Sequence, residues 1–126
     1  MVGKSEPIFR FEELDIWKEG IRITKALLAT ANDLEDKHLY KFAEQLRAAT
    51  MSITNNIAEG SASFSNKEFA QFLNISRRSL FECYNILVIL NESDIINNDI
   101  LQKQKEELDR LSRRITNFRK TIIDKK

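Results

Sequence analysis

Residues 45–72 read QLRAATMSITNNIAEGSASFSNKEFAQF, and they contain the end of one predicted helix, a turn and the start of another. Gly60 is expected to end the first helix in a left-handed conformation, because glycine has no Cβ to clash there. Ser65 and Glu68 have the S-x-x-E spacing of a capping box. Apolar residues recur at helical spacing on both sides of the turn: Phe42, Leu46, Ala49, Ile53 and Ile57 before it, and Phe69, Phe72 and Leu73 after it. The stretch therefore predicts a helical hairpin.

Two more amphipathic segments flank this hairpin. The first helix is expected over about Phe11–Asn32, with a core-facing seam of Leu14, Trp17, Ile21, Thr24, Leu28 and Ala31 and with Ile16, Ile23 and Leu27 beside it. A polar loop at 32–37, with a possible cap at Asp36, then precedes the second helix, which should end at Glu59. The third helix is expected over about 66–91, and a loop at 92–99 leads to the fourth, which runs to the C-terminus.

Short connections between four such helices predict an all-α fold, an antiparallel up-down-up-down four-helix bundle. At 126 residues the chain is expected to form one domain. The bundle should span residues 10–126, and residues 1–9 are expected to be a disordered N-terminus.

Several short motifs carry a resemblance to a known family: Gln45-Leu-Arg47, Ser52-Ile53, NIAEG at 56–60, Glu68-Phe69, SLFE at 79–82 and, upstream, FEELDIWK at 11–18. Over roughly residues 9 to 120, the chain resembles the four-helix-bundle family of the 23S rRNA intervening sequence proteins, which also includes the accessory variability determinant of diversity-generating retroelements. It departs from that pattern at Ala48, Arg78 and Tyr84. The resemblance implies a homo-oligomer, a pentamer around an axis, that associates with structured RNA or with a reverse transcriptase and its RNA.

Composition and cysteine usage favour a cytoplasmic protein. Cys83 is the single cysteine and lies in an apolar run, which fits a reducing compartment. The sequence has no uninterrupted apolar run long enough to span a membrane, and the N-terminus lacks the apolar core of a signal peptide. We therefore expect no membrane partner.

The residues needed for catalysis do not converge in the sequence. His38 is the only histidine, so no pair of imidazoles can bind zinc, and Cys83 has the surroundings of a core residue. A Gly-rich phosphate loop and the paired E-x-x-H motifs of di-metal bundles are both missing from the sequence. These observations predict a protein that is not an enzyme and that has no cofactor and no metal.

A polar stripe borders the predicted core on two helices. Its members are Gln45, Ser52, Asn56 and Glu59 on the second helix and Ser79 and Glu82 on the third. The stripe has two interpretations, a hydrogen-bonded boundary that fixes helix register, because buried polar groups need partners, or a polar groove for a ligand or a partner chain.

Basic residues concentrate near the C-terminus. Residues 101–126 contain nine Lys or Arg and four acids, a balance of +5, although the whole chain carries only +1. Such a face can bind nucleic-acid phosphates, and it can equally be a solvated helix surface. The candidate nucleic-acid-binding residues are Arg110, Arg113, Arg114, Arg119 and Lys120, with a smaller basic spot at Arg77 and Arg78. Phe118 is the only aromatic residue among the C-terminal ones, so base stacking is not predicted.

Two functions therefore remain open. The first is an oligomeric scaffold for structured RNA, in which a modest basic face is repeated around a ring. The alternative is a protein-interaction adaptor with no nucleic-acid role. The sequence pI of about 7.8 favours the alternative, because nucleic-acid-binding domains are often far more basic.

Overall fold

The computed structural model describes residues 9–124, and this part of the chain is all-α. A short 3₁₀ helix (Arg10–Glu13) precedes four α-helices, which are α1 (Asp15–Asp36), α2 (Tyr40–Ser61), α3 (Asn66–Glu92) and α4 (Asn98–Ile123). None of the helices in residues 9–124 has the length and apolarity that a membrane span needs. The predicted disordered N-terminus, residues 1–9, lies outside the described residues except for Phe9.

The predicted loop at 32–37 is wrong, because α1 continues to Asp36 and α2 begins only at Tyr40. Leu34 explains the difference: it is 1% exposed, so the apolar stripe of α1 continues through the polar segment. Asp36 therefore ends α1 and does not cap α2. His38 lies between the two helices with φ 64°, and Asp94 has φ 59° between α3 and α4.

Gly60 does not end its helix in a left-handed conformation, as the sequence suggested. It lies inside α2, which continues to Ser61, and no glycine in residues 9–124 has a positive φ. A Cβ built on Gly60 would lie 2.6 Å from Phe72 Cβ and 2.8 Å from Phe69 Cδ1. Glycine is thus required here because α3 approaches the backbone of α2, and not because of the backbone conformation. The Ser65 cap is as predicted, since its Oγ accepts a hydrogen bond from the Glu68 amide at 3.1 Å.

Apolar side chains from all four helices form one core. The contacting helix pairs are α1 with α2, α2 with α3, α3 with α4 and α1 with α4. On α1 the predicted seam is displaced: Ile16, Ile23 and Leu27 are buried, whereas Trp17 and Leu28 are only half-buried. Both stripes of α1 are apolar, so periodicity alone could not identify which one faces the core.

Candidate nucleic-acid interface and polar stripe

The centre of the polar stripe is a chain of hydrogen bonds between α2 and α3. Ser79 Oγ lies 3.0 Å from the Ile75 carbonyl, which can only accept, and 2.7 Å from Ser52 Oγ. Ser52 Oγ accepts from Asn56 Nδ2 at 2.9 Å. These contacts connect Asn56, Ser52 and Ser79 in one row across α2 and α3.

The flanks of the stripe differ from its centre. Gln45, Glu59 and Glu82 are exposed, and within residues 9–124 their side chains make no hydrogen bond or ion pair. The structure therefore brings together three of the six predicted residues. Those three form hydrogen bonds within α2 and between α2 and α3, as the interpretation of the stripe as a hydrogen-bonded boundary expects.

Two further polar contacts lie deeper in the same interface. Ser76 is fully buried, and its Oγ donates to the Ile53 carbonyl at 2.7 Å. Thr50 Oγ1 lies 3.6 Å from Cys83 Sγ. Burial raises the pKa of the Cys83 thiol to about 11, so at neutral pH this thiol is protonated and poorly nucleophilic.

His38 is exposed in the turn after α1, where its Nδ1 lies 2.7 Å from the Tyr40 hydroxyl. Among residues 9–124, no group of three or more His, Cys, Asp or Glu could hold a metal ion.

The basic residues of α4 do not form one free face. Arg114 donates to Glu19 Oε2 at 2.8 Å, and the Glu19 side chain is only 7% exposed. Arg22 pairs with Glu107 at 2.8 Å across the same pair of helices, and this hydrogen bond raises the pKa of the Arg22 guanidinium. Arg114 thus neutralises an acid of α1.

Arg119 points to the other side of α4, where its Nε donates to the Ala70 carbonyl of α3 at 3.0 Å. Arg113 pairs with Asp109 at 2.8 Å, and both side chains are mostly exposed. The remaining candidates on exposed surface, Arg110, Lys120 and Arg78, form no ion pair within residues 9–124. The sequence analysis therefore predicted more basic side chains without a partner on α4 than the structure shows.

Arg77 lies against an aromatic ring, a contact that the sequence did not predict. Its guanidinium carbon is 4.8 Å from the centroid of Phe81. Phe81 also lines a groove of about 450 Å³ between α3 and α4, together with Tyr84, Leu80 and Leu108. The sequence contained one indication of this contact: Phe81 is apolar but lies outside the core-facing stripe of α3.

The chain matches a known protein family. The family model described as 23S rRNA-intervening sequence protein matches residues 12–117, which include all of α1, α2 and α3 and most of α4. A comparison with curated proteins found no match.

Proposed function

We propose that this chain, which belongs to the 23S rRNA-intervening sequence protein family, is a non-enzymatic binding and scaffold protein for structured RNA. The family match is the observation that carries this proposal. The RNA would be a ribosomal intervening sequence or a retroelement ribonucleoprotein, in which a reverse transcriptase is a second partner. The protein would act in the cytoplasm.

The proposed form is an antiparallel up-down-up-down bundle that assembles into a homo-oligomer, a pentamer. Contacts between α2 and α3 support the antiparallel arrangement, because Thr50 contacts Cys83 whereas Gly60 contacts Phe69. Large apolar side chains left exposed on the helices support self-association: Met51, Ile75 and Ile89. Repetition around a ring would multiply the weak affinity of one subunit.

The proposed RNA contact consists of those candidate cations that lie on exposed surface and have no acidic partner within residues 9–124. These are Arg110 and Lys120 on α4 and Arg78 on α3, to which Arg113 adds a charge shared with Asp109. Arg114 and Arg119 are mainly structural, since they hold α4 to α1 and α3. A contact with so few cations would bind phosphates electrostatically and would lose affinity as salt increases.

The test is a fluorescence-anisotropy titration of nucleic-acid-free protein with an RNA hairpin and a matched DNA duplex, at about 50 and 200 mM salt. We expect tighter binding to the hairpin and a clear loss of affinity at the higher salt. Absence of RNA binding at the lower salt would refute the proposal.

Charge reversal at Arg110 and Lys120 is the matching variant, because both side chains are exposed and reversal breaks no ion pair of residues 9–124. We expect weaker RNA binding and a salt slope smaller by roughly one unit for each phosphate that the variant no longer binds. Lys41→Glu is the control, since Lys41 is exposed on α2, which does not contact α4. Equal loss in the control would show that net charge, and not this face, determines binding.

The alternative function is a protein-interaction adaptor. The net charge of +1 and the exposed apolar side chains favour it. An oligomer that binds no RNA but captures one defined protein from a cell extract through Phe81 or Ile89 would support the adaptor over the RNA scaffold.

A further inference from the structure

The groove between α3 and α4 has an aromatic wall and a polar rim. Leu80 and Leu108, both buried, lie at its base, and the half-buried ring of Tyr84 lines it. Phe81 is 55% exposed, so much of its ring surface is accessible beside the groove. The volume of about 450 Å³ lies within the range of roughly 300–1,000 Å³ found for small-ligand sites.

Arg77 lies beside this wall. Its guanidinium carbon is 4.8 Å from the centroid of the Phe81 ring, so a planar cation lies against the aromatic side chain that lines the groove. Proteins that bind unpaired RNA bases stack them on aromatic rings and on Arg guanidinium planes. The side chains of α3 thus place an exposed aromatic ring beside α4, a basic helix whose one aromatic residue, Phe118, is half-buried.

The rim provides hydrogen-bonding groups and a small positive balance. Gln102 and Ser112 can donate and accept hydrogen bonds to the edge of a base. The charged side chains that line the groove are Lys105, Glu106 and Asp109. Asp109 is paired with Arg113 at 2.8 Å and Arg77 lies against Phe81, so these five side chains together carry a net charge of +1. One negatively charged nucleotide is therefore compatible with the rim.

We propose that the α3–α4 groove binds a single unpaired RNA base, which stacks on Phe81 and Tyr84 while Arg77 and Lys105 contact the adjacent phosphates. This inference rests on the proposed function and names the part of the RNA that is recognised. It makes the protein selective for hairpin loops and bulges over continuous duplex, because only an unpaired base can leave its own stack. A rim of polar side chains around a small volume suits a base better than an apolar helix from another protein.

The direct test is photo-crosslinking with an RNA hairpin that carries 5-iodouridine in its loop, a base that crosslinks to aromatic side chains stacked on it. Trypsin separates the candidates: the peptide 79–103 contains Phe81 and Tyr84, and the peptide 48–67 contains Phe64. We expect the crosslink in 79–103. A crosslink confined to any other peptide would overturn the proposal.

Affinity measurements with Phe81 variants are the second test. Phe81→Ala should weaken binding of the looped hairpin about 5- to 25-fold, equivalent to about 1–2 kcal/mol, and should leave duplex RNA of equal length unaffected. Phe81→Tyr should retain the affinity, because it keeps the ring. Phe81→Leu keeps apolar bulk without a π face and should behave like Phe81→Ala, which separates stacking from folding. Phe64→Ala is the matched control, since Phe64 is fully exposed in the turn between α2 and α3.

The outcomes separate this inference from the proposed function. If the wild-type protein binds neither RNA, both fail. If it binds looped and duplex RNA equally and Phe81→Ala changes neither, the groove proposal fails and the RNA scaffold stands. If Phe81→Ala changes the oligomeric state by sedimentation but not RNA affinity, the groove is a contact between subunits and the base-binding proposal is overturned.

Discussion

The α2–α3 contact and the α1–α4 contact join helices by different chemistry. Between α2 and α3, neutral hydroxyl and amide groups form short hydrogen bonds, and Gly60 lets the helices approach closely. Between α1 and α4, two ion pairs cross the interface, Glu19 with Arg114 and Arg22 with Glu107. Buried oxygens of Thr24 on α1 and Gln104 on α4 also lack a hydrogen-bond partner within residues 9–124.

This difference indicates separate roles for the two contacts. Neutral hydrogen bonds and small side chains depend on exact distances, so we expect the α2–α3 contact to tolerate little change. Ion pairs at a partly exposed seam contribute little when both partners are solvated, and they matter when one partner is buried. The following four changes test that distinction.

Arg114→Glu should have the largest effect, because it replaces the nearer cationic partner of a nearly buried carboxylate with a second negative charge and leaves Glu19 only Arg22, at 3.8 Å. We expect a loss of about 2–3 kcal/mol in the free energy of unfolding, less than for a fully buried pair because Arg114 is 54% exposed. Urea denaturation measures it. Arg113→Glu is the control and should cost no more than about 0.5 kcal/mol, since its partner Asp109 is exposed. Equal losses would show that the Arg114–Glu19 pair stabilises the protein no more than the exposed Arg113–Asp109 pair does.

Gly60→Ala should destabilise the protein by about 1–3 kcal/mol, although Ala is better than Gly within a helix by about 1 kcal/mol. The new Cβ would meet the Cβ of Phe72 at 2.6 Å, an atom that can move only with its backbone. Thermal and urea unfolding would both detect the change. Gly20→Ala is the matched comparison on α1, where the nearest atom is the Thr54 methyl at 2.9 Å and can rotate away. A neutral Gly60→Ala would contradict the close-approach explanation.

The buried thiol of the α2–α3 contact should make stability depend on alkaline pH. Burial raises the pKa of Cys83 from 9.0 to about 11, so the folded state keeps a proton that the unfolded state loses between these values. This stabilisation is complete below pH 9.0 and is lost as pH rises through about 11. The expected slope is at most about 1.4 kcal/mol per pH unit. Cys83→Ala should lack this contribution; parallel pH profiles for both proteins would refute it.

The smallest expected effect is the coupling between Ser52 and Ser79. A double-mutant cycle with Ser52→Ala and Ser79→Ala should give a coupling free energy of about 0.5–1 kcal/mol, because the two hydroxyls form one hydrogen bond between α2 and α3. A second cycle on Asp109 and Arg113 should give about 0.2–0.5 kcal/mol, as expected for an exposed ion pair. A coupling near zero for the serines would mean that the stripe does not fix register.

The sequence predicted the four helices well where local chemistry decides the outcome. Ser65 caps α3 by accepting a hydrogen bond from the amide of Glu68, three residues further on. The apolar residues spaced three or four apart around Ile53 define the buried face of α2. The prediction from sequence failed where contacts with an element distant in the chain determine the local structure. Gly60 is a residue type typical of helix ends, but it is required here because Phe69 and Phe72 of α3 lie too close for a side chain. The spacing of residues in α2 does not show where those two side chains lie.

The candidate site was harder to predict for the same reason. The basic residues of α4 appeared as one face because sequence spacing does not show which of them have partners on other helices. Arg114 meets an acid 95 residues away, and Arg119 meets a carbonyl 49 residues away. Phe81 could not be identified as a site residue from the sequence, because the groove that it lines is formed only when α4 packs beside α3.

The separation of contacts along the chain also has a consequence for the order of folding. Hydrogen bonds between α2 and α3 join residues 23 to 33 apart, whereas the ion pairs between α1 and α4 join residues 85 to 95 apart. Closing the longer loop costs about 1 kcal/mol more in chain entropy. We therefore expect the central hairpin to form in the folding nucleus and the ionic seam to close after it. In the native state that seam should open before global unfolding, with α1 still packed on α2 and α4 still packed on α3.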